Sequence, residues 1–366
     1  MTTPKEKREK KVRIALVGCG RIADLQCLGY LEHPRAEISA VCDPIQERAE
    51  TRAQEWGARH VYTNLQRLLK NPAIDAVDIL TPHHLHAAQA IAVLEAGKHL
   101  SLQKPPALSL EEFDHIAKAA KNSGTIFRVF ENFMYYPPLV KARELIKKGA
   151  VGTPVSIRIK TAVGNQDRGW QIDASAQKWR GDLKKSGGGP LTFDHGYHCF
   201  NMARFFIPAD IDRVHAFINW KETSDKGLLD GPALISWSYS GKTARYGSWE
   251  VIDTPDMAIQ SKYYVSDDRV RIQGTKGIIW INRCSGTLLE EPAVKLYRDN
   301  EVRSFHHLPV DWSESFRLGG RDFIDAILNG KKPPQQVKEA RKTLAFALAA
   351  AKSAAEKREV SIKEIG

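Results

Sequence analysis

A chain of 366 residues with 42% hydrophobic and 27% charged residues suits two ordinary globular domains and excludes a disordered or fibrous class. No apolar run approaches the roughly 20 residues needed to cross a bilayer, and five cysteines without a C-x-x-C pair fit buried thiols better than a disulfide framework. The net charge of +11 arises from 54 Lys and Arg against 43 Asp and Glu scattered along the chain, which fits an anionic cofactor and solvated helix faces rather than nucleic acid.

Residues 1–11, with Lys5, Lys7, Arg8, Lys10 and Lys11, read as a basic tail. No signal-peptide segment follows it, and the cysteines read as buried thiols of a cytoplasmic protein. Val12-Arg13-Ile14-Ala15-Leu16-Val17 then reads as a central parallel strand emptying into Gly18-Cys19-Gly20-Arg21-Ile22-Ala23. In that turn Gly18 permits the tight bend and Gly20 lets backbone approach a pyrophosphate. Ala23 takes the slot of a third glycine, where a helix packs on the strand. A second strand, Ile38–Cys42, ends on Asp43, where an acid meets the adenosine ribose. The Asp43 carboxylate accepts from a 2′-hydroxyl and repels a 2′-phosphate, which favours NAD over NADP, although Arg48 would tolerate a phosphate.

Ala76–Leu80 is the next strand. Thr81-Pro82 follows at the cofactor end of the sheet, and His86 falls in the first turn of a helix that stops at Gly97. Lys98–Leu102 leads into Gln103-Lys104-Pro105-Pro106, a helix spans Leu110–Ala120, and Thr125–Phe130 closes the set. This alternation predicts a doubly wound parallel sheet, an α/β Rossmann domain over residues 12–131. The residues expected around its dinucleotide are Gly18, Gly20, Arg21, Ile22, Asp43, Arg48, Thr81, Pro82, His86, Gln103 and Lys104.

After a helix over Leu139–Lys148 the pattern turns to strands. Candidates are Val155–Ala162, Val214–Trp220, Ala233–Tyr239, Ala244–Ile252, Lys262–Val265, Val270–Gln273 and Ile278–Asn282. They predict an α+β domain over 132–366 with one large, open, mostly antiparallel sheet. Phe316–Leu328 and Lys338–Lys357 are helical, the latter expected to pack back on the body. An exposed sheet needs a cover, so a homodimer or homotetramer is expected. Substrate specificity is expected in the loops 164–176 and 221–231.

Three clusters carry chemistry. Lys104 ends a Rossmann strand, where a cation polarises a substrate oxygen and stabilises a developing alkoxide; a solvated lysine before a turn is the other reading. Ser186-Gly187-Gly188-Gly189-Pro190-Leu191-Thr192-Phe193-Asp194-His195-Gly196-Tyr197-His198 presents Asp194 and His198 one helical turn apart after a flexible glycine run. There His198 reads as a base, with Asp194 orienting it or a sugar hydroxyl; a capping Asp with a satisfied histidine is the other reading. His195 points elsewhere, on the substrate side. A metal site from these three lacks a third ligand on one face, so no metal is expected. Trp179-Arg180 suits a hydroxyl-rich or carboxylate substrate through stacking and a two-bond fork. Asn132, Tyr135 and Tyr136 either line the pocket or pack at the domain junction.

In this order, Gly18–Ala23, Cys42-Asp43, Thr81-Pro82 with His86, Ala96–His99, Gln103-Lys104-Pro105, Trp179-Arg180 and Gly188-Gly189 with Asp194 and His198 resemble the glucose–fructose oxidoreductase and inositol dehydrogenase family over nearly the full length. The resemblance implies NAD(P)-linked oxidation or reduction of a sugar, polyol or glycoside hydroxyl, with Lys104, Asp194 and His198 as the catalytic set. One departure stands out: an acid usually precedes the lysine, and Gln103 stabilises its charge less. Two alternatives stay open: a glycoside-cleaving or isomerising enzyme that recycles its NAD, and an NAD-binding sensor without chemistry. An intact lysine–aspartate–histidine set argues against the sensor.

Overall fold

The computed structural model describes residues 11–366 apart from 166–168, 171–172, 224–226 and 285. Residues 1–10 of the basic tail and parts of both specificity loops lie outside the described residues. Six strands, β1 (Val12–Val17), β2 (Ala36–Cys42), β3 (His60–Tyr62), β4 (Ala76–Ile79), β5 (His99–Gln103) and β6 (Phe127–Phe130), form a wholly parallel sheet in the order β3-β2-β1-β4-β5-β6. The chain therefore reverses direction across the sheet between β1 and β4, which opens a crevice at the strands' carboxyl ends. Continuous apolar runs drive this arrangement: Ile14, Ala15 and Leu16 are fully buried. Only β3 escapes the sequence reading, because it is a short edge strand with His60 and Val61 exposed.

One polar row crosses this core. Asp78, Ser101 and Arg128 lie in register on β4, β5 and β6. Asp78 accepts from Tyr30 (2.6 Å) and Gln26 (2.7 Å), while Arg128 donates to Ser101 (3.1 Å) and to the Gly319 carbonyl (2.5 Å). That last bond comes from the Ser313–Asn329 helix, whose Phe323 and Ile324 are buried in the same core as β1. This late helix thus completes the first sheet, although the sequence reading grouped it with the second. Glycines permit the close crossing. A Cβ on Gly29 would stand 2.5 Å from the Arg317 carbonyl oxygen and 2.7 Å from the Gly320 Cα.

Among the described residues the second sheet has nine strands. From one edge they run Glu301–Phe305, Val294–Arg298, Gly277–Ile281, Ser266–Gly274, Pro154–Val163, Tyr246–Asp253, Ala233–Tyr239, Ile211–Ile218 and Val360–Ser361. All pairs are antiparallel except Pro154–Val163 with Tyr246–Asp253. Strict alternation separates its faces. The row Ala216, Ile235, Trp249, Ile159 and Val270 is buried, whereas Phe217 and Leu234 in the next row are exposed. Helices Gly196–Phe206 and Val337–Glu356 cover the inner face, the latter through Leu344, Phe346 and Ala350. Two corrections follow. Lys262–Val265 is a series of bends, and a single strand begins at Ser266. The edge strands Val294–Arg298 and Glu301–Phe305 go unpredicted; residues 301–304 are exposed and carry no alternation. Among the described residues no helix is long and apolar enough to cross a membrane, and all five cysteines are buried and free.

Because Gly29 meets backbone rather than a movable side chain, Gly29→Ala is expected to destabilise the fold by about 1–3 kcal/mol. Urea denaturation followed by circular dichroism measures this, and an unchanged midpoint would show that the helix crossing tolerates a methyl group.

Candidate functional site

The crevice end of β1 is built for a close-lying ligand. Gly18 has φ +97°, and a Cβ there would lie 2.9 Å from the Leu80 carbonyl, so only glycine fits. Beside Gly20 a Cβ would meet nothing within 4 Å, which leaves the backbone open on that side, as a pyrophosphate requires. Asp43 is buried, accepting from the Cys19 N–H (2.9 Å) and the Ile45 N–H (3.0 Å), with Arg48 at 3.8 Å. It therefore fastens the glycine turn to the end of β2. Ile22 packs against both hydrophobic clusters that include β1 residues, and Arg21 lies over Trp170 at 5.4 Å. The Thr81 hydroxyl donates to Gln89 (2.6 Å), and Pro82 caps the His83–Leu85 turn. His86 departs from its assignment to the cofactor. Its ring is fully buried between the carbonyls of Pro105 (2.7 Å) and Thr81 (2.8 Å), and burial pushes it down to about 3, so it is a structural brace.

Lys104 leaves the end of β5 and reaches the second module. Its Nζ donates to Asp194 Oδ1 (2.6 Å) and to the Asp194 carbonyl (2.8 Å). Arg180 Nε donates to Oδ2 of the same carboxylate (3.1 Å), and His83 Nε2 stands 3.6 Å from Oδ1. Burial alone would raise the Asp194 carboxyl, but Lys104, His83 and Arg180 outweigh it and hold it well below the usual range. The acid that Gln103 does not supply thus arrives from another element. Gln103 instead accepts the Lys104 backbone N–H (2.9 Å). Arg180 also lies over the Trp179 ring at 4.5 Å, and Trp179 meets His83 edge-on at 4.8 Å.

Asp194 sits in a π-helical segment, Pro190–His195, of the kind often found at functional sites. The glycines before it serve close packing, not the expected flexibility. Gly187 closes the preceding helix with φ +81°. A Cβ on Gly189 would overlap the Asp230 carboxylate at 1.8 Å. That fully buried carboxylate accepts the N–H groups of Leu191 (2.9 Å) and Thr192 (2.6 Å), which caps the segment.

His198 lies in the following helix, Gly196–Phe206, and its partner is not Asp194. The His198 Nδ1–H faces Glu131, 2.7 and 2.8 Å from its two oxygens. Asp194 is turned away to Lys104 and Arg180, because the π-helical turn breaks the 3.6-residue spacing that would align the two. Burial lowers His198 and Glu131 opposes it, while the charge of Lys104 adds to the lowering; the net effect is a depressed histidine. His195 also has a carboxylate, with Nε2 3.1 Å from Asp268 Oδ1. Glu131 and Asp268 were missed, although signals existed. Glu131 follows β6 at the same carboxyl edge as Lys104, and extending the alternation of Val270 and Ile272 backwards puts Asp268 on the inner face. Asn132 and Tyr135 do not join this group. They donate to Ser315 (2.9 Å) and Asp322 (2.7 Å) of the Ser313–Asn329 helix, and Tyr136 to the Val310 carbonyl (2.9 Å), so all three brace the junction. Among the described residues no group of His, Cys, Asp or Glu side chains is placed to hold a metal ion.

The His198 ring is expected to titrate below the ordinary histidine value of about 6.5. Glu131→Gln removes the anion that opposes burial and so moves it lower still. Proton–nitrogen NMR over a pH series reads both, and an upward shift in the variant would exclude this pairing.

A model of the oxidoreductase family with an NAD-binding Rossmann fold matches residues 12–131, and a model of the GFO/IDH/MocA C-terminal domain matches residues 139–280. The chain is 27% identical over 330 residues to scyllo-inositol 2-dehydrogenase (NAD(+)) of Bacillus subtilis, covering 89% of each. It is 24% identical over 360 residues to myo-inositol 2-dehydrogenase of Thermotoga maritima, covering 97% of this chain and 99% of that one. The solved structure of levoglucosan dehydrogenase with NADH shares the fold, with TM-score 0.81 at 22% identity over 96% of this chain and 99% of that one. Both sheets and the glycine turn match this kinship: the chain belongs to the GFO/IDH/MocA oxidoreductase family, with an NAD-binding Rossmann fold at its N-terminal end.

Proposed function

We propose that this protein oxidises a secondary hydroxyl of a sugar, polyol or glycoside with NAD, and reduces the matching ketone in reverse. The observation that carries this reading is the Lys104–Asp194 contact (2.6 Å) beside a base, His198, held by Glu131, all at the carboxyl edge of the first sheet. The named relatives that act on scyllo-inositol and myo-inositol support the substrate class.

NAD supplies the hydride acceptor when bound. Lys104, aimed by Asp194, donates to the substrate oxygen and stabilises the charge that grows there. His198 Nε2 takes the hydroxyl proton, and Glu131 stabilises the imidazolium that results. Depression of His198 keeps the ring neutral and ready at neutral pH. Arg180, stacked over the Trp179 ring, fixes the carboxylate behind Lys104. Asp43 at the ribose end supports NAD over NADP. The exposed Phe217, Leu234, Tyr246 and Ile252 of the second sheet support a homo-oligomer, and the buried free thiols support a cytoplasmic setting.

A panel of scyllo-inositol, myo-inositol, levoglucosan and D-apiose, read by NADH absorbance, tests the activity. Lys104→Met and His198→Asn are each expected to lower kcat by about 10²–10⁴-fold; full activity in either variant would refute its role. Asp43→Ser is expected to shift the ratio of NAD to NADP affinity toward NADP by about tenfold or more, measured by fluorescence titration of both cofactors.

A further inference from the structure

Hydroxyl oxidation uses one base, yet beside His198 stands His195, and each of these two imidazoles is backed by a buried carboxylate of its own. His195 lies where the π-helical segment passes into the Gly196–Phe206 helix, and its ring centre is 5.9 Å from that of His198. Its Nε2 faces Asp268 Oδ1 at 3.1 Å, as His198 faces Glu131. Asp268 is fully buried and pairs in register with Thr161, whose hydroxyl donates to it at 2.7 Å. Thr161 in turn accepts from Trp249 Nε1 at 2.9 Å, so the carboxylate is locked from behind.

A buried carboxylate is costly unless a cation or hydrogen bonds compensate it. Burial works to raise the Asp268 carboxyl, but His195 and the Thr161 hydroxyl hold it ionised, below the usual range. A ring that only reads a substrate hydroxyl needs no anion behind it, since a backbone carbonyl fixes the tautomer equally well. An anion is useful where the ring becomes positive, which is when it takes a proton. With Nε2 committed to Asp268, Nδ1 carries the lone pair. The His195 side chain is also the more accessible of the two, 22% exposed against 8% for His198.

Resting on the proposed hydroxyl oxidation, we infer that His195 is a second base, acting on the C–H bond beside the oxidised carbon. Once the hydride has left and His198 holds the hydroxyl proton, the substrate is a ketone whose oxygen lies under Lys104. The neighbouring C–H is then acidic. His195 Nδ1 takes that proton, the C–H electron pair forms the new carbon–carbon double bond, and the carbonyl π pair moves onto the oxygen beside Lys104. Returning the proton restores the ketone, so no further oxidant or reductant is required. Inversion at that carbon, or loss of a substituent one bond further on, would start from the same enolate.

The test uses the full chain with NAD and the four panel sugars in deuterium oxide. NADH is read by absorbance and carbon-bound deuterium in the recovered sugar by NMR. A sugar that yields NADH is expected to gain deuterium on the carbon flanking the oxidised one. In His195→Gln, and separately in the near-isosteric Asp268→Asn, the ratio of deuterium uptake to NADH formation is expected to fall about 100-fold. NADH without deuterium uptake in the wild type, or an unchanged ratio in both variants, overturns the second base and leaves hydroxyl oxidation standing. Neither NADH nor deuterium from any panel sugar overturns both readings together.

Discussion

Lys104 and Asp194 stand ninety residues apart in sequence, the first just past β5 and the second in the π-helical segment, and meet at 2.6 Å. Lys104 comes from the edge of a parallel sheet whose position is set by buried apolar strands. Asp194 comes from a π-helical turn capped by Asp230. The contact exists only if both modules are folded and docked. Removing one partner of a mostly buried ion pair leaves an uncompensated charge, at a cost of about 3–5 kcal/mol. Asp194 is held by more than one cation, since Arg180 donates to its other oxygen. It therefore serves as the electrostatic anchor between the sheets, and Lys104 keeps its direction without help from Gln103.

The same docking explains the glycines. Gly187 and Gly189 sit where the chain bends with positive φ or presses on a buried carboxylate, which gives the turn one geometry. A rigid turn is what a proton-transfer site needs, because a displacement near 1 Å removes most of the advantage of positioning. The Ser313–Asn329 helix adds the second support. Through Asn132, Tyr135 and Arg128 it binds the end of β6, from which Glu131 reaches His198. A helix from near the chain's end thus steadies the base.

Two histidine–carboxylate pairs then share one short stretch of chain. Glu131 directly follows the last strand of the first sheet, and Asp268 lies in a strand of the second. His198 and His195 are therefore referenced to different modules, and any rotation between the sheets would move one ring relative to the other. The protonation chemistry of the site is in this sense a readout of interdomain geometry.

The sequence alone determined what depends on local pattern. Gly18 and Gly20 after an apolar run, the strand–helix alternation to Phe130, and Lys104 at a strand end all follow from periodicity and backbone freedom, which act over a few residues. The alternation that marked Ala233–Tyr239 as a strand did the same for much of the second sheet. Pairings between distant segments were not determined this way. The π-helical turn displaced Asp194 from His198, and long-range packing supplied Glu131, Asp268 and the anchoring of Tyr135 by Asp322 instead. Hydrogen-bond partners of charged groups are chosen by which elements the whole fold brings within about 3 Å, and one sequence carries no local trace of that distance.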